Sequence, residues 1–234
     1  MKKKFFISLF YIFCVFNIIA LNGKITYLKG SVYINYAPAD LNQKVEEKDL
    51  ITTHEGRVEL TLSDGNIIRI GENSRVHIDN LKKKKNKDKK ISVKVFLGKI
   101  WTKVKNIVKE KDEFSIKFRM GTAGVRGTVY RLNQYEDDSA EIYVYEGKVE
   151  VSGIKKETIK KDTKKNEGKR HEIEGPEEIE GPKEVTLREW VKIVEKMNKI
   201  YVTSKGEPED PKEFKMKKEK NKEWVKWNLK RDKK

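Results

Sequence analysis

Cysteine is nearly absent from this sequence of 234 residues, and the one present, Cys14, lies in an apolar run near the start of the chain. Beyond that run there is no thiol to form a disulfide, to act as a nucleophile or to bind a metal. Histidine is scarce too, and His54, His77 and His171 show none of the spacings typical of a metal site. The sequence therefore predicts no metal ion and no cofactor, and a fold that depends on a hydrophobic core.

Motifs typical of catalysis are also missing. There is no Gly-x-Ser-x-Gly nucleophile motif and no phosphate-binding glycine loop. Asp137 and Asp138 are adjacent, and adjacent residues of an extended chain point to opposite sides, which suits a loop better than an acid–base pair. We predict that the protein is not an enzyme.

One long apolar run is present, at residues 5–19, between Met1-Lys2-Lys3-Lys4 and Ala20. This pattern is typical of a secretory signal peptide (residues 1–20) with cleavage near Ala20. An uncleaved anchor is the alternative, because a helix of residues 5–21 would reach about 25 Å, slightly short of a hydrocarbon core of about 30 Å. Lipidation of Cys14 is a third interpretation. Each predicts an exported protein of the periplasm or cell envelope, anchored to the inner membrane if the run is uncleaved.

Positive charge exceeds negative charge: 53 Lys and Arg against 37 Asp and Glu give a net charge of +16. A basic surface favours anionic partners. Lysine dominates over arginine, and lysine is poorly suited to the bidentate contacts of sequence-specific nucleic-acid readers, so that partner is not expected. Anionic lipid, cell-wall polymer or acidic protein remain, beside the alternative that an AT-rich genome inflates lysine without any functional reason.

Residues 22–152 alternate between apolar and polar side chains like a β protein. Val58, Leu60 and Leu62 would share one face of a strand, and Asp64-Gly65 then supplies the turn of a hairpin that ends near residue 70. Further strands are predicted at residues 24–28, 31–35, 75–79, 91–96, 100–104, 114–120, 129–132 and 140–145. The fold class is mainly β, an antiparallel β-sandwich or roll of about ten short strands in one compact domain.

Glycine recurs before a basic and a branched residue, at Gly23, Gly56, Gly98 and Gly147, and we interpret this pattern as shared turn chemistry. The densest glycine run covers residues 121–130. There Gly124, Arg126, Gly127 and Thr128 predict a structural corner, in which Arg126 satisfies backbone carbonyls or a buried acid and the Thr128 hydroxyl ties the turn. The alternative is that Arg126 offers its guanidinium group to a partner's carboxylate or phosphate.

Four segments together resemble the FecR-domain family. They are Gly30-Ser31-Val32-Tyr33-Ile34, Leu50-Ile51-Thr52-Thr53, the hairpin Leu60-Thr61-Leu62-Ser63-Asp64-Gly65-Asn66-Ile67-Ile68, and Val125-Arg126-Gly127-Thr128 followed by Glu146-Gly147-Lys148-Val149. The family often has a Thr-Pro pair before the Val-Arg-Gly-Thr element, where this chain has Arg119-Met120-Gly121-Thr122.

The resemblance implies a non-catalytic extracytoplasmic module. In the ferric-citrate regulator that names the family, a cytoplasmic segment before the membrane helix controls an alternative sigma factor. Here only Met1 to Lys4 precede the apolar run, so we expect a stand-alone exported member and do not carry over sigma-factor control.

After residue 153 the composition shifts to lysine and glutamate. Residues 153–185 are therefore predicted to form a linker or loosely attached strands. A capping box at Thr186-Leu187-Arg188-Glu189 then predicts a helix at residues 187–202. Its apolar stripe would be Trp190, Val194, Met197 and Tyr201. This helix would either dock onto the β domain or bind a partner.

The tail, residues 203–234, is basic and carries Trp224 and Trp227. It predicts a frayed or partly helical terminus, or a basic helix at an anionic membrane. Residues 82–90 hold seven lysines and predict an exposed loop.

Two functions are compatible with these features. The first is a binding or scaffold module that recognises a cell-envelope protein and takes part in envelope signalling, with the helix as a contact. The second is binding of anionic lipid or cell-wall polymer through the tail and the lysines Lys82, Lys83, Lys84 and Lys85.

Overall fold

The computed structural model describes residues 21–83, 89–105, 112–125, 127–154 and 191–233. The predicted signal or anchor, the capping box and nearly all of the predicted linker lie outside these ranges. Among the described residues, no helix combines the length and the apolar composition needed to cross a membrane.

Within the described ranges, seventeen strands form one continuous mixed sheet that folds over at its longest strand, β9 (Lys89–Lys103), into two layers. In order of hydrogen-bonded neighbours, sheet A consists of β4 (Lys44–Val45), β1 (Gly23–Lys29), β6 (Arg57–Leu62), β7 (Ile67–Ile70), the second part of β9, β12 (Val129–Gln134), β13 (Ala140–Glu146), β16 (Asn198–Val202) and β17 (Lys212–Glu213).

Sheet B is built in the same way around the first part of β9. Its order is β3 (Ala37–Pro38), β2 (Val32–Ile34), β5 (Leu50–Thr53), β8 (Ser74–Lys83), β9, β10 (Glu113–Phe118), β11 (Gly121–Val125), β14 (Lys148–Gly153) and β15 (Val191–Glu195). The mainly β fold is confirmed. The strands are more numerous than predicted, β9 merges two predicted strands, and the β9–β10 pair is parallel.

The hydrophobic core lies between the two layers, because the alternating strands of each sheet turn their branched side chains to the same interior. Fully buried examples are Ile25, Leu60 and Ile100 from sheet A and Ile51, Val93 and Ile116 from sheet B. Burial of one such side chain stabilises the fold by roughly 1.5–3 kcal/mol. The predicted hairpin at residues 57–70 is confirmed as β6 and β7, with Gly65 at φ +84° in its turn.

Glycines stand where the chain passes from one sheet to the other. Gly98 bends β9 from sheet B into sheet A at φ +94°, and a Cβ there would collide with the Ser74 side chain. Gly147, at φ +76°, separates β13 in sheet A from β14 in sheet B. At these two positions the recurrent glycine pattern therefore marks sheet changes rather than simple hairpin turns.

The helix predicted at residues 187–202 is wrong for the described part, because residues 191–202 form β15 and β16. β15 pairs with β14 in sheet B and β16 pairs with β13 in sheet A, so the two strands are joined by another sheet change. Met197 at this corner has φ +65°. Backbone pairing at the two sheet edges outweighs the helical spacing of the apolar residues.

The tail contains two helices, α1 (Met216–Glu219) and α2 (Glu223–Asp232), so a helical terminus is confirmed and a frayed one is not. Trp224, Val225 and Asn228 are buried on one face of α2. They cover a second apolar cluster on the outer face of sheet A, formed by Trp101, Val129, Tyr143, Tyr145 and Phe214. One side of sheet A thus faces the core, and the other faces the tail of the same chain.

Candidate functional site

A row of charged and aromatic side chains crosses the outer face of sheet A. Successive strand pairings bring the members into one line across seven strands. In order they are Tyr27, Glu59, Arg69, Trp101, Arg131, Tyr143 and Lys199. Arg69, Trp101 and Arg131 are at most 3% exposed. Such burial is unusual on the outer side of a sheet, and it results from the overlying tail.

The end of α2 is fixed to this row through Asp232. Its Oδ1 accepts a hydrogen bond from Arg69 Nη1 at 2.7 Å, and its Oδ2 accepts one from the Trp101 indole Nε1 at 2.9 Å. Lys103 Nζ donates to the Asp232 carbonyl oxygen at 2.9 Å. Both carboxylate oxygens are therefore satisfied by groups of sheet A.

Glu59 is the acidic centre of the row. Its Oε2 accepts from Arg69 Nε at 2.6 Å and from Arg231 Nε at 2.9 Å, while its Oε1 accepts from Arg231 Nη2 at 2.9 Å and from Thr26 Oγ1 at 2.8 Å. Burial alone would raise the pKa of this carboxyl, but the hydrogen bonds from Arg231, Arg69 and Thr26 lower the pKa to about 2. Glu59 is thus held ionised between an arginine of the sheet and an arginine of the tail.

A second buried ion pair fixes the end of α1. Arg131 Nη2 and Glu219 Oε2 lie 2.9 Å apart, and both side chains are less than a tenth exposed. The Arg131 guanidinium carbon lies 4.0 Å from the centre of the Tyr143 ring, and Lys222 Nζ donates to Glu219 Oε1 at 2.8 Å. Charges of the sheet and of the tail are therefore matched at both ends of the contact.

The lowered pKa of Glu59 predicts a loss of stability in acid. The ionic contribution should be complete above the ordinary pKa of 4.5 and should decline as the pH falls toward about 2. The full loss amounts to about 3 kcal/mol. Urea unfolding between pH 7 and pH 2 measures this effect. The wild-type protein should have a higher free energy of unfolding than Glu59→Gln at pH 7, and this difference should disappear as the pH falls across the interval. A constant difference between the two proteins would contradict the assignment.

A cleft of about 660 Å³ opens beside this contact, where the start of α2 meets the bend in β9. Its lining includes Arg57, Lys99, Tyr135, Lys222 and Trp224. Arg57 Nη2 donates to Glu72 Oε1 at 2.8 Å and to Glu223 Oε1 at 3.0 Å. Charged groups and exposed aromatic surface are thus presented together, which suits contact with protein side chains.

The arrangement favours recognition over chemistry. Glu59, Arg69 and Arg131 of the row form ion pairs with one another or with charged groups of the tail, so their charges are already neutralised at close range. Within the described ranges, no group of three or more His, Cys, Asp or Glu side chains is placed to hold a metal ion.

The predicted glycine corner lies between β11 and β12. Gly124 is within β11, and Gly127 has φ +63° at the passage from sheet B to sheet A. The Thr128 hydroxyl does not tie the turn as predicted, because Oγ1 is buried without a hydrogen-bond partner among the described residues, while the backbone oxygen accepts from Val104 N at 2.9 Å. Arg126 lies outside the described residues.

The lysine stretch is less of a loop than predicted. Lys82 and Lys83 belong to β8 and pair with Lys90 and Lys89 of β9. These strand positions correct the prediction at both ends of the stretch, and Lys84 and Lys85 lie outside the described residues.

The predicted apolar stripe is divided between the layers. Val194 is buried between the sheets, Met197 packs against the aromatic cluster on sheet A, and Tyr201 is half-buried in β16. They do not form one surface, and Trp190 lies outside the described residues. A contact made by one face of a helix is therefore replaced by three separate packing roles.

The two tail tryptophans face sheet A. Trp224 is 7% exposed and stacks on Trp227, with ring centres 5.4 Å apart. Trp227 is half-buried and also contacts Tyr27, at 5.2 Å between ring centres. In this conformation Trp224 is unavailable to lipid, which corrects its expected role as a membrane contact.

Asp64 and Gly65 form the predicted turn. Asp64 Oδ1 accepts from Asn66 N at 3.1 Å, and the Asn66 side chain in turn accepts from Lys105 N at 2.9 Å through Oδ1. The predicted structural role of this pair agrees with its place in the fold.

Glu59, Arg69 and Arg131 were missed by reasoning from the sequence. The alternation in β6 places Glu59 on the outer face of its strand, which ordinarily faces water. The available signal was the complementary charge in the tail, where Arg231 and Asp232 stand side by side. Nothing local links these residues, because 163 positions separate Arg69 from Asp232 and 172 separate Glu59 from Arg231, and the partner of Arg131 is Glu219, also far along the chain.

Comparison with known proteins finds a family match for the central part of the chain. Residues 48–150 match the family model described as FecR protein, which confirms the resemblance for this segment. This segment of the chain, less than half of its length, is thus similar to FecR proteins. No curated protein matches the chain.

Similar solved structures include two crystal structures, at 2.50 Å and 1.65 Å resolution, of a candidate anti-sigma factor from Parabacteroides distasonis ATCC 8503. They are 18% and 17% identical to this chain, with TM-scores of 0.45 and 0.44. Each alignment covers 69% of this chain and 57% of the other. This chain thus spans little more than half the length of that protein.

Proposed function

We propose that this chain is an exported, non-catalytic FecR-type module that recognises a protein of the cell envelope, as one component of envelope signalling. The FecR-family match at residues 48–150 supports the class, since the resemblance implies a binding module outside the cytoplasm. The covered face of sheet A supports recognition, because it already holds a helical segment by matched buried charges.

The observation that carries this proposal is the desolvated row of Glu59, Arg69 and Arg131 with its counter-charges from the tail. Buried ion pairs contribute little net stability compared with apolar packing, but a wrong partner would leave charges unpaired at a cost of several kcal/mol. A surface of this kind selects among ligands. The adjoining cleft extends it to the solvent, where a second protein can reach it.

Crosslinking in the cell tests the proposal. A photoreactive residue in place of Tyr135, which is 40% exposed and lines the cleft, is expected to give one reproducible protein adduct. The matched control is the same substitution at Ile193, which is 59% exposed on the outer face of sheet B. Absence of an adduct from position 135, or identical adducts from both positions, would contradict recognition at the cleft.

A further inference from the structure

Docking of the tail sorts its charges into an inner and an outer set. Glu219, Glu223 and Asp232 pair with arginines of the β domain. The described lysines of residues 212–233 all remain exposed: Lys212, Lys215, Lys217, Lys218, Lys220, Lys222, Lys226, Lys230 and Lys233. Glu219, Glu223 and Asp232 are the acids of α1 and α2, so the outer surface of the two docked helices is more basic than their composition suggests.

A groove between α1 and α2 lies on this outer surface. Met216 and Leu229 supply its apolar lining, and Lys220, Lys226, Lys230 and Lys233 surround them. The groove has a volume of about 820 Å³. An apolar floor ringed by ammonium groups is complementary to a negatively charged amphiphile.

The end of α2 lies at the same end of the sandwich as the first described residues. Lys103, which donates to Asp232, pairs with Ile67 at the start of β7. In the turn before β7, Ser63 N donates to Asn22 O at 2.9 Å. The first described residues, Leu21 and Asn22, therefore lie at the same end as the C-terminal end of α2.

Lys89, near the end of the lysine stretch at residues 82–90, lies at this end as well. Lys89 Nζ lies 3.6 Å from Asp64 Oδ2, and Lys105 N donates to the neighbouring Asn66. Two basic segments far apart in the sequence thus meet the chain start at one end of the molecule. We call this surface, formed by Lys105, Lys226, Lys230 and Lys233 with Met216 and Leu229, the basic end.

We propose that the basic end binds the anionic phospholipid surface of a membrane, in addition to the protein contact proposed above. Lipid fits better than a cell-wall polymer for two reasons. The lysines adjoin apolar side chains that an acyl chain can cover, and Leu21, at the same end, lies two positions after the apolar run at residues 5–19. Binding through this surface would orient the sandwich so that the cleft beside Tyr135 points away from the membrane.

The position of the cleft supports this orientation. Tyr135 belongs to the turn between β12 and β13, whereas Val129 at the other end of β12 pairs with Lys103. The cleft and the basic end therefore lie at opposite ends of sheet A. Attraction to an anionic surface acts within about 10 Å in 0.1 M salt, so only lysines at the basic end should contribute.

Vesicle co-sedimentation tests the proposal with residues 21–234, which contain the complete core of the described fold. Vesicles of phosphatidylglycerol and phosphatidylcholine should bind the protein, and pure phosphatidylcholine vesicles should not. The double variant Lys230→Gln with Lys233→Gln should bind about tenfold more weakly, because each lysine near such a surface contributes appreciably.

The matched control removes the same charge at the opposite end. Lys29→Gln with Lys205→Gln changes two exposed lysines, one beside the corner at Gly30 and one beside Gly206, which contacts the end of β14. This variant should bind as the wild type does. Equal losses in both double variants, or no binding to the anionic vesicles, would overturn the proposal.

A variant of the apolar floor of the groove distinguishes binding to lipid from binding to cell-wall polymer. Leu229→Gln, checked for a normal unfolding transition, should weaken vesicle binding and leave any binding to purified anionic cell-wall polymer unchanged. Binding to polymer with none to vesicles would overturn the assignment to lipid. Unchanged vesicle binding in a folded Leu229→Gln protein would likewise contradict the role of the groove.

Discussion

Deletion of residues 214–234 is expected to lower the free energy of unfolding by several kcal/mol and to expose an aromatic patch. The loss of Trp224 alone removes a buried indole, and replacement of a buried tryptophan by alanine typically costs about 3–5 kcal/mol. Trp101, Tyr143 and Tyr145 would then face water. Far-ultraviolet circular dichroism should still report a β protein, because the core between the sheets contains no residue of the tail.

Urea unfolding and binding of a hydrophobic dye measure this effect, and light scattering measures self-association through the new patch. The control is the full chain with Lys217→Ser and Lys218→Ser, two exposed positions on the solvent side of α1. It should retain the wild-type midpoint within about 0.5 kcal/mol. An unchanged midpoint and no dye binding in the truncated protein would show that the tail does not cover sheet A.

Replacement of Arg69 by methionine is expected to destabilise the protein by about 3–5 kcal/mol, the usual cost of removing one partner of a buried ion pair. Arg69 is 1% exposed and contacts Glu59 and Asp232 simultaneously. Without it, both carboxylates keep their charge in a partly dehydrated contact with fewer donors. The free energy of unfolding in urea at pH 7 is the quantity to compare.

Arg75→Met is the matched control, since Arg75 is an exposed arginine of β8 whose guanidinium group lies over Phe96. It should cost less than about 1 kcal/mol. A double-mutant cycle of Arg69→Met with Asp232→Asn should be strongly non-additive, because the second change removes a charge that the first leaves unpaired. Additive losses would show that the two side chains are not coupled.

Much of the β fold could be predicted from local patterns. Asp64-Gly65 between alternating runs is sufficient for a hairpin, since the turn itself specifies which residues pair. The sheet changes were harder to foresee. A bend at Gly98 inside one long strand produces the same glycine signal as a turn between two strands, so the two cannot be distinguished from the sequence.

The false helix at residues 187–202 has a definite cause. The apolar residues that suggested the helix do not share one face of the chain. Val194, Ile200 and Val202 face the core between the sheets, whereas Met197 packs on the outer cluster of sheet A and Tyr201 is half-buried. The intervals of three and four between Val194, Met197 and Tyr201 imitate the period of a helix although these side chains have no common buried face.

The candidate site could not be predicted for a different reason. Glu59 and Arg69 are ordinary polar residues on the outward positions of a hairpin, and their burial depends on a helix far along the chain. Local patterns show where a side chain points, but not which distant segment covers it. Only the tertiary fold brings Arg231 and Asp232 to the hairpin.

The strand shared by both layers has a mechanical consequence. β9 is central in sheet A and in sheet B, so neither layer can separate, slide or unfold without breaking hydrogen bonds of the other. The slowest hydrogen exchange in the molecule should therefore be found along this single strand, on both sides of Gly98. Tension applied at one end of the sandwich would reach the other through continuous backbone rather than through packed side chains alone.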